Sequence, residues 1–180
     1  MTSTSSCTPR LRQILLIAKR EATRCSSRLI EPEHHLLAIL AHHGTATLIL
    51  QQAGLTHEIA DAFLHETAVT PSPPPVEMLS ERSVELLKRA SEIARIAGER
   101  LVWTQHLLLA LFLEPCGKVA DLFKYRNISH KSITTNLEYW RDEERTKLQR
   151  LLEAFGLVAA RIPGPESKEN PSAFSTLSPT

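Results

Sequence analysis

The residues best equipped for chemistry crowd into one short stretch. His34, His35, His42 and His43 follow closely on one another, and imidazoles at helical spacing are common ligands of a divalent metal. His35 and His42 are seven residues apart and share a helical face, yet two turns separate them by about 10 Å of rise, too far for one ion without a bend. His57-Glu58 and His65-Glu66 begin like an HExxH zinc-hydrolase helix, in which two histidines one turn apart hold the metal and the glutamate activates water. Asp61 and Val69 stand where the second histidine belongs. Cys7, Cys25 and Cys116 are an odd count with no close pair, so neither a disulfide framework nor a CxxC metal or redox site is written. As nucleophiles, Cys25 and Cys116 have only scattered histidines behind them, and no Gly-x-Ser-x-Gly elbow occurs. No metal ligand set, cofactor motif or catalytic residue is therefore expected.

Composition narrows the classes further. Of 180 residues, 21 are Lys or Arg and 20 are Asp or Glu, so the chain lacks the basic footprint of a phosphate-backbone binder. Nine aromatics are too few for a base-stacking platform, and no nucleic-acid partner is expected. The longest apolar run, Leu107 to Leu113, is bounded by His106 and Glu114 and falls far short of the ~20 residues of a spanning helix. A soluble, membrane-free protein of a reducing, cytoplasmic compartment is the expectation.

The elements that must position any site are set by an internal repeat. Residues 8 to 41 slide onto 80 to 113 at an offset of 72, placing Arg10, Leu15, Ala18, Ala22, Arg28 and Leu29 on Arg82, Leu87, Ala90, Ala94, Arg100 and Leu101. His34, Leu36, Leu37 and Ala38 fall on His106, Leu108, Leu109 and Ala110. After one inserted residue the register resumes, with Gly44 on Gly117 and Thr56 on Ser129. Chance does not produce this.

Each repeat reads as four short helices. Thr8 and Ser80 are matched N-caps for a first helix, the former with proline suitably placed at the first helical position. The second helix opens near Pro32 and Thr104 and is apolar nearly all round, which marks it as central and buried. At matched positions on these helices, His34 and His106 read as core histidines whose rings cap or bridge neighbouring helices. A third helix follows Gly44 and Gly117, and a fourth is capped by Thr56 and Ser129. The expected fold is all-α: two tandem pseudo-twofold four-helix repeats, at 8–69 and 80–140, with no sheet at all. Residues 70–79 form a proline-rich linker, since Pro73-Pro74-Pro75 forbid helix. A ninth, amphipathic helix at 141–161 carries Leu148, Leu151, Leu152 and Phe155 on one stripe, a candidate partner surface. Residues 1–7 and 162–180 are expected to be disordered tails.

The segment Ile30 to Ile39, its twin Val102 to Leu111, and the alanine-containing helices before them resemble the duplicated N-terminal domain of Clp-type AAA+ unfoldases. In that family each repeat carries a Thr/Gly-Thr-Glu-His-Leu-Leu-like segment opening its second helix. The resemblance covers roughly residues 8 to 140 and implies a domain that captures substrates or adaptors for an ATP-driven unfoldase and its peptidase. No GxxxxGK[ST] loop is present and 180 residues cannot hold an AAA+ module, so the chain resembles the detached domain alone. The resemblance implies a non-catalytic adaptor or accessory subunit, with protein partners: a Clp ATPase or peptidase and protein substrates. It further implies a phosphoarginine-like site in which Glu33 receives the guanidinium by charge-assisted bidentate hydrogen bonds, with Thr8 as hydroxyl and helix N-terminal amides facing the phosphate. Gln105, with Ser80 as hydroxyl, is the uncharged equivalent in repeat two. A plainer account of Glu33 is an acid in the first helical turn, favourable to its own helix dipole. The alternative function, a free-standing metal-dependent hydrolase using the histidine-rich first repeat, rests on local composition only.

Overall fold

The computed structural model describes residues 7–64 and 78–129. Thr8 and Ser80 sit in extended backbone, and each hydroxyl accepts the amide three residues on: Leu11 N–H at 3.2 Å and Ser83 N–H at 3.1 Å. These caps satisfy donors that a helix start otherwise leaves orphaned. They open α1 (Pro9–Arg24) and α5 (Glu81–Ile96), which bury equivalent positions: Ile14 and Leu86, Ala18 and Ala90, Ala22 and Ala94. Both helices end at a left-handed residue, Ser26 and Gly98, beyond which Ser27 N–H and Glu99 N–H bond back to Ala22 and Ala94 carbonyls.

The chain then turns into α2 (Pro32–Ala41) and α6 (Thr104–Leu113), whose residues are buried on every side except for Glu33 and Gln105 near their starts and Ala41 and Leu113 at their ends. Helix α1 packs on α2, and α5 on α6. Next come α3 (Thr45–Gln52) and α4 (His57–Leu64) in the first repeat and α7 (Gly117–Tyr125) in the second. Helix α2 also packs on α6 and α7, and α4 on α7, so the two repeats share one apolar core.

The expectation of no sheet at all is corrected by a small one. β1 (Leu29–Ile30) pairs in parallel with β2 (Met78–Leu79), and Cys7 forms an isolated parallel bridge with Val102. Each bridge joins the residues before a first helix of one repeat to the residues before the second helix of the other. Ser80 N–H donates to the Ile30 carbonyl at 3.0 Å and Thr8 N–H to the Val102 carbonyl at 3.1 Å, two bonds related by the pseudo-twofold. Backbone groups at the repeat boundary are buried and need partners, and the opposite repeat supplies them. The class remains all-α, with seven helices among the described residues.

The helix expected after Ser129, the amphipathic helix at 141–161 with Leu148, Leu151, Leu152 and Phe155, most of the linker and nearly all of both tails lie outside the described residues. Among the described residues no helix is long and apolar enough to cross a membrane.

Candidate functional site

The four residues singled out for ligand binding all lie at helix starts, but the pairing is crossed. Thr8 is hydrogen-bonded to Val102, three residues before Gln105, and Ser80 to Ile30, three before Glu33. The described backbone contacts therefore join Thr8 to the segment before Gln105 and Ser80 to the segment before Glu33. Sequence alignment of the repeats could not show this, because it superposes equivalent residues without saying which copies touch. Both hydroxyls are buried and already accept a capping amide.

Glu33 stands half-buried in the first turn of α2 and faces the second repeat. Burial pushes its carboxyl above the ordinary carboxylate range, with Glu31 adding to the rise, while its own backbone hydrogen bond and the Lys118 and Arg82 cations pull it back. Arg82 lies over the start of α7: a Cβ on Gly117, whose φ is +55°, would stand 3.0 Å from its Nη1. Beside it a cavity of ≈ 250 Å³ is lined by Arg82, Leu86, Arg89, Glu114 and Cys116. This corner holds cations and carboxylates together. Lys118 also ties the repeats, its Nζ donating to the Leu64 carbonyl at 3.1 Å.

The equivalent corner lies against Gln105. Arg10 takes the place of Arg82, its Nη1 3.6 Å from where a Cβ on Gly44 would stand, and with Thr45, Thr47, Trp103, Thr104 and Gln105 it lines a cavity of ≈ 30 Å³. The two arginines were not singled out from the sequence. Their signal was present in the matched pairs Arg10/Arg82 and Gly44/Gly117.

His34 and His106 serve structure. His34 Nδ1 accepts the Glu31 N–H at 2.9 Å and His106 Nδ1 accepts the Trp103 N–H at 3.1 Å, so each ring caps the start of its own helix. His35 is wholly buried, and burial together with His34 pushes its imidazole down to about 3. His42 Nε2 meets Gln13 Oε1 at 3.3 Å. Among the described residues, no three of His, Cys, Asp and Glu converge where they could hold a metal. The thiols are equally unsuited to attack: burial raises all three, Cys25 to about 11, where the nucleophilic thiolate is scarce at neutral pH.

Comparison with known proteins follows the same outline. A family model described as the Clp repeat (R) N-terminal domain matches residues 6–126. Among solved structures, the Hsp104 N-terminal domain from Candida albicans is similar at 20% identity and a TM-score of 0.62, covering 86% of this chain and 94% of that one. A structure titled as part of a malarial protein secretion system is similar at 18% identity and a TM-score of 0.62, covering 86% of this chain and 100% of that one. The N-terminal domain of the caseinolytic protease associated chaperone ClpD from Arabidopsis thaliana is similar at 16% identity and a TM-score of 0.55, over 74% and 99% of the two chains. No curated protein matches the sequence.

Proposed function

The chain belongs to the Clp repeat N-terminal domain family, and from that premise we propose that it is a non-catalytic protein-binding adaptor or accessory subunit of a Clp-type ATP-dependent protease or unfoldase, acting in the cytoplasm. The observation that carries the reading is the doubled domain itself, matched over 6–126 and knit across its repeats. Its partners are a Clp ATPase or peptidase and protein substrates. Pull-down from a lysate with the full chain as bait, read by mass spectrometry, should return a Clp ATPase or peptidase. Recovery of neither removes the adaptor role.

Within that reading, Glu33 receives the guanidinium of a phosphoarginine-like group, and Arg82, Lys118 and the start of α7 face its phosphate. A carboxylate pairs with a guanidinium in a bidentate, charge-assisted way, and a neutral amide loses about 1–2 kcal/mol of that bond. In calorimetry with phosphoarginine, Glu33→Gln should weaken binding roughly tenfold. Gln105→Glu should create or strengthen a second site. Binding unchanged by Glu33→Gln leaves this position as a helix-start acid.

The stripe Leu148, Leu151, Leu152 and Phe155 is proposed as a partner surface. Deleting residues 141–180 should abolish partner capture while the remaining domain keeps its stability. Lost stability with retained capture assigns the stripe to packing instead.

A further inference from the structure

Helices α1 and α5 are twins in the core and opposites at the surface. From Pro9 to Arg28 the chain carries six cations, Arg10, Arg12, Lys19, Arg20, Arg24 and Arg28, and one acid, Glu21. The matched span from Glu81 to Arg100 carries five cations and four acids. Pro9, Gln13, Arg20 and Ser27 stand where the second repeat has Glu81, Glu85, Glu92 and Glu99. The ion pairs follow this difference. On α5, Lys88 meets Glu85 at 3.3 Å, while Arg89 meets Glu92 at 3.1 Å and Glu114 at 3.0 Å. On α1, Arg24 takes the one acid, Glu21, at 2.8 Å and reaches Asp61 on α4. Arg12, Lys19, Arg20 and Arg28 are exposed and form no ion pair with another described residue.

The twin shows that the fold does not require such a face. Helix α5 has Glu81 in its first turn, whereas α1 has no acid there and holds Arg10 and Arg12 close to its start, where cations oppose the helix dipole. Arg20 and Arg24, one turn apart, repel each other. Arg12, Leu16, Lys19 and Arg20 follow one another at helical spacing and share one face. Leu16 is 62% exposed among these cations, and its twin is Lys88.

We propose that this exposed face of α1 is a docking surface for an acidic segment of a partner protein, its carboxylates pairing with Arg12, Lys19 and Arg20 and an apolar side chain resting on Leu16. Guanidinium groups pair carboxylates in a bidentate, charge-assisted way. A nucleic-acid backbone offers Leu16 no apolar contact, and no aromatic residue stands between Pro9 and Arg28 to stack a base. A lipid surface is equally unsuited, because the apolar residues such a helix would sink into it, Leu11, Ile14, Ala18 and Ala22, are already in the core. The surface is argued from charge and exposure alone, so it stands or falls apart from the Clp assignment and from guanidinium binding at Glu33.

The test is calorimetry of the full chain with a blocked peptide of glutamates around one leucine, beside its glutamine counterpart, an oligothymidylate and phosphatidylserine vesicles. Saturable binding of the glutamate peptide is expected, weakening as salt rises, with none by the glutamine peptide. Lys19→Ser combined with Arg20→Glu, which copies Ser91 and Glu92, should weaken it at least tenfold while the melting temperature stays the same or rises. Leu16→Lys, copying Lys88, should weaken the leucine peptide several-fold yet tighten a peptide of glutamates alone. Equal binding of the glutamine peptide, no effect of the double substitution, tightening of both peptides by Leu16→Lys, or tighter binding of the oligothymidylate or the vesicles overturns the proposal. So does a peptide that binds only after residues 141–180 are removed, which would assign the face to the chain's own Asp142, Glu143 and Glu144.

Discussion

The two repeats have each given up one core leucine, at different places. Repeat two keeps Leu107 where repeat one has His35, and repeat one keeps Leu11 where repeat two has Ser83; all four are buried. Neither ring nitrogen of His35 nor the Ser83 hydroxyl has a hydrogen-bond partner among the described residues. The contrast separates what the fold demands from what one copy tolerates. Where both copies agree, as at Leu37 and Leu109, the position is demanded by packing. Where they differ, the leucine in the twin shows that the site accepts an apolar side chain.

The largest effect should come from the agreed positions. Leu37→Ala and Leu109→Ala each leave a cavity in a buried helix and should cost about 2–5 kcal/mol in chemical denaturation. Because α2 packs on both α6 and α7, unfolding should remain one transition in either variant. Two separated transitions would break the comparison, by showing that the repeats hold their cores independently.

His35 supplies the next contrast, and it depends on pH. Its imidazole titrates near 3 in the folded chain against about 6.5 when unfolded, so between these values the unfolded state binds the extra proton. The stability that rests on keeping this ring neutral is complete above about pH 6.5 and is lost as pH falls toward 3. The loss amounts to about 3 kcal/mol by pH 4. His35→Leu, copying Leu107, should remove that part of the acid sensitivity and raise stability at neutral pH, as measured by thermal melts across the range. The reciprocal Leu107→His should add a similar sensitivity. If His35→Leu follows the parent's pH profile, the buried ring does not govern it.

Much of this organisation was legible in the sequence, for a physical reason. Cap residues and apolar spacing are local, so Thr8, Ser80, Pro32 and Thr104 mark helix starts, and the all-round apolar character of α2 and α6 marks the centre. The short ladder was not legible. Two residues such as Leu29 and Ile30 carry no periodicity, and their partners Met78 and Leu79 are the last two residues of the proline-rich linker. The crossed arrangement of the site was hidden for the same reason. Whether Glu33 faces its own repeat or the other depends on how the copies dock, and Arg82 and Lys118 enter its surroundings only through that docking. Burial of an unpartnered histidine at position 35 also runs against the local expectation that a histidine seeks water or a partner.

Ser83 offers a milder version of the histidine contrast. Replacing Ser83 with alanine deletes a buried hydroxyl without a partner and favours the helix, so stability should rise by about 1–2 kcal/mol. Thr104→Ala is the parallel case: its buried hydroxyl also has no hydrogen-bond partner among the described residues, so its removal should leave stability unchanged or raise it. Lower stability in either variant, read by chemical denaturation, would show that the hydroxyl contributes where it stands.

The smallest expected effect concerns the caps, where the repeats agree. Thr8→Ala and Ser80→Ala each remove one side-chain acceptor, from Leu11 N–H and Ser83 N–H respectively, and each should cost about 1 kcal/mol. The backbone bonds from Thr8 to Val102 and from Ser80 to Ile30 survive both substitutions, so the junction between repeats should hold. Hydrogen exchange can read the two effects apart: faster exchange at Leu11 or Ser83 reports the lost cap, while unchanged protection at residues 8 and 80 reports the intact junction. Equal costs for the two caps would mean that the pseudo-twofold governs energy as well as geometry. A markedly larger cost for Thr8→Ala would place more of the shared core's stability on the Cys7 bridge than on the two-residue ladder at Ser80, since that isolated bridge has only one residue pair to hold the start of α1 in register.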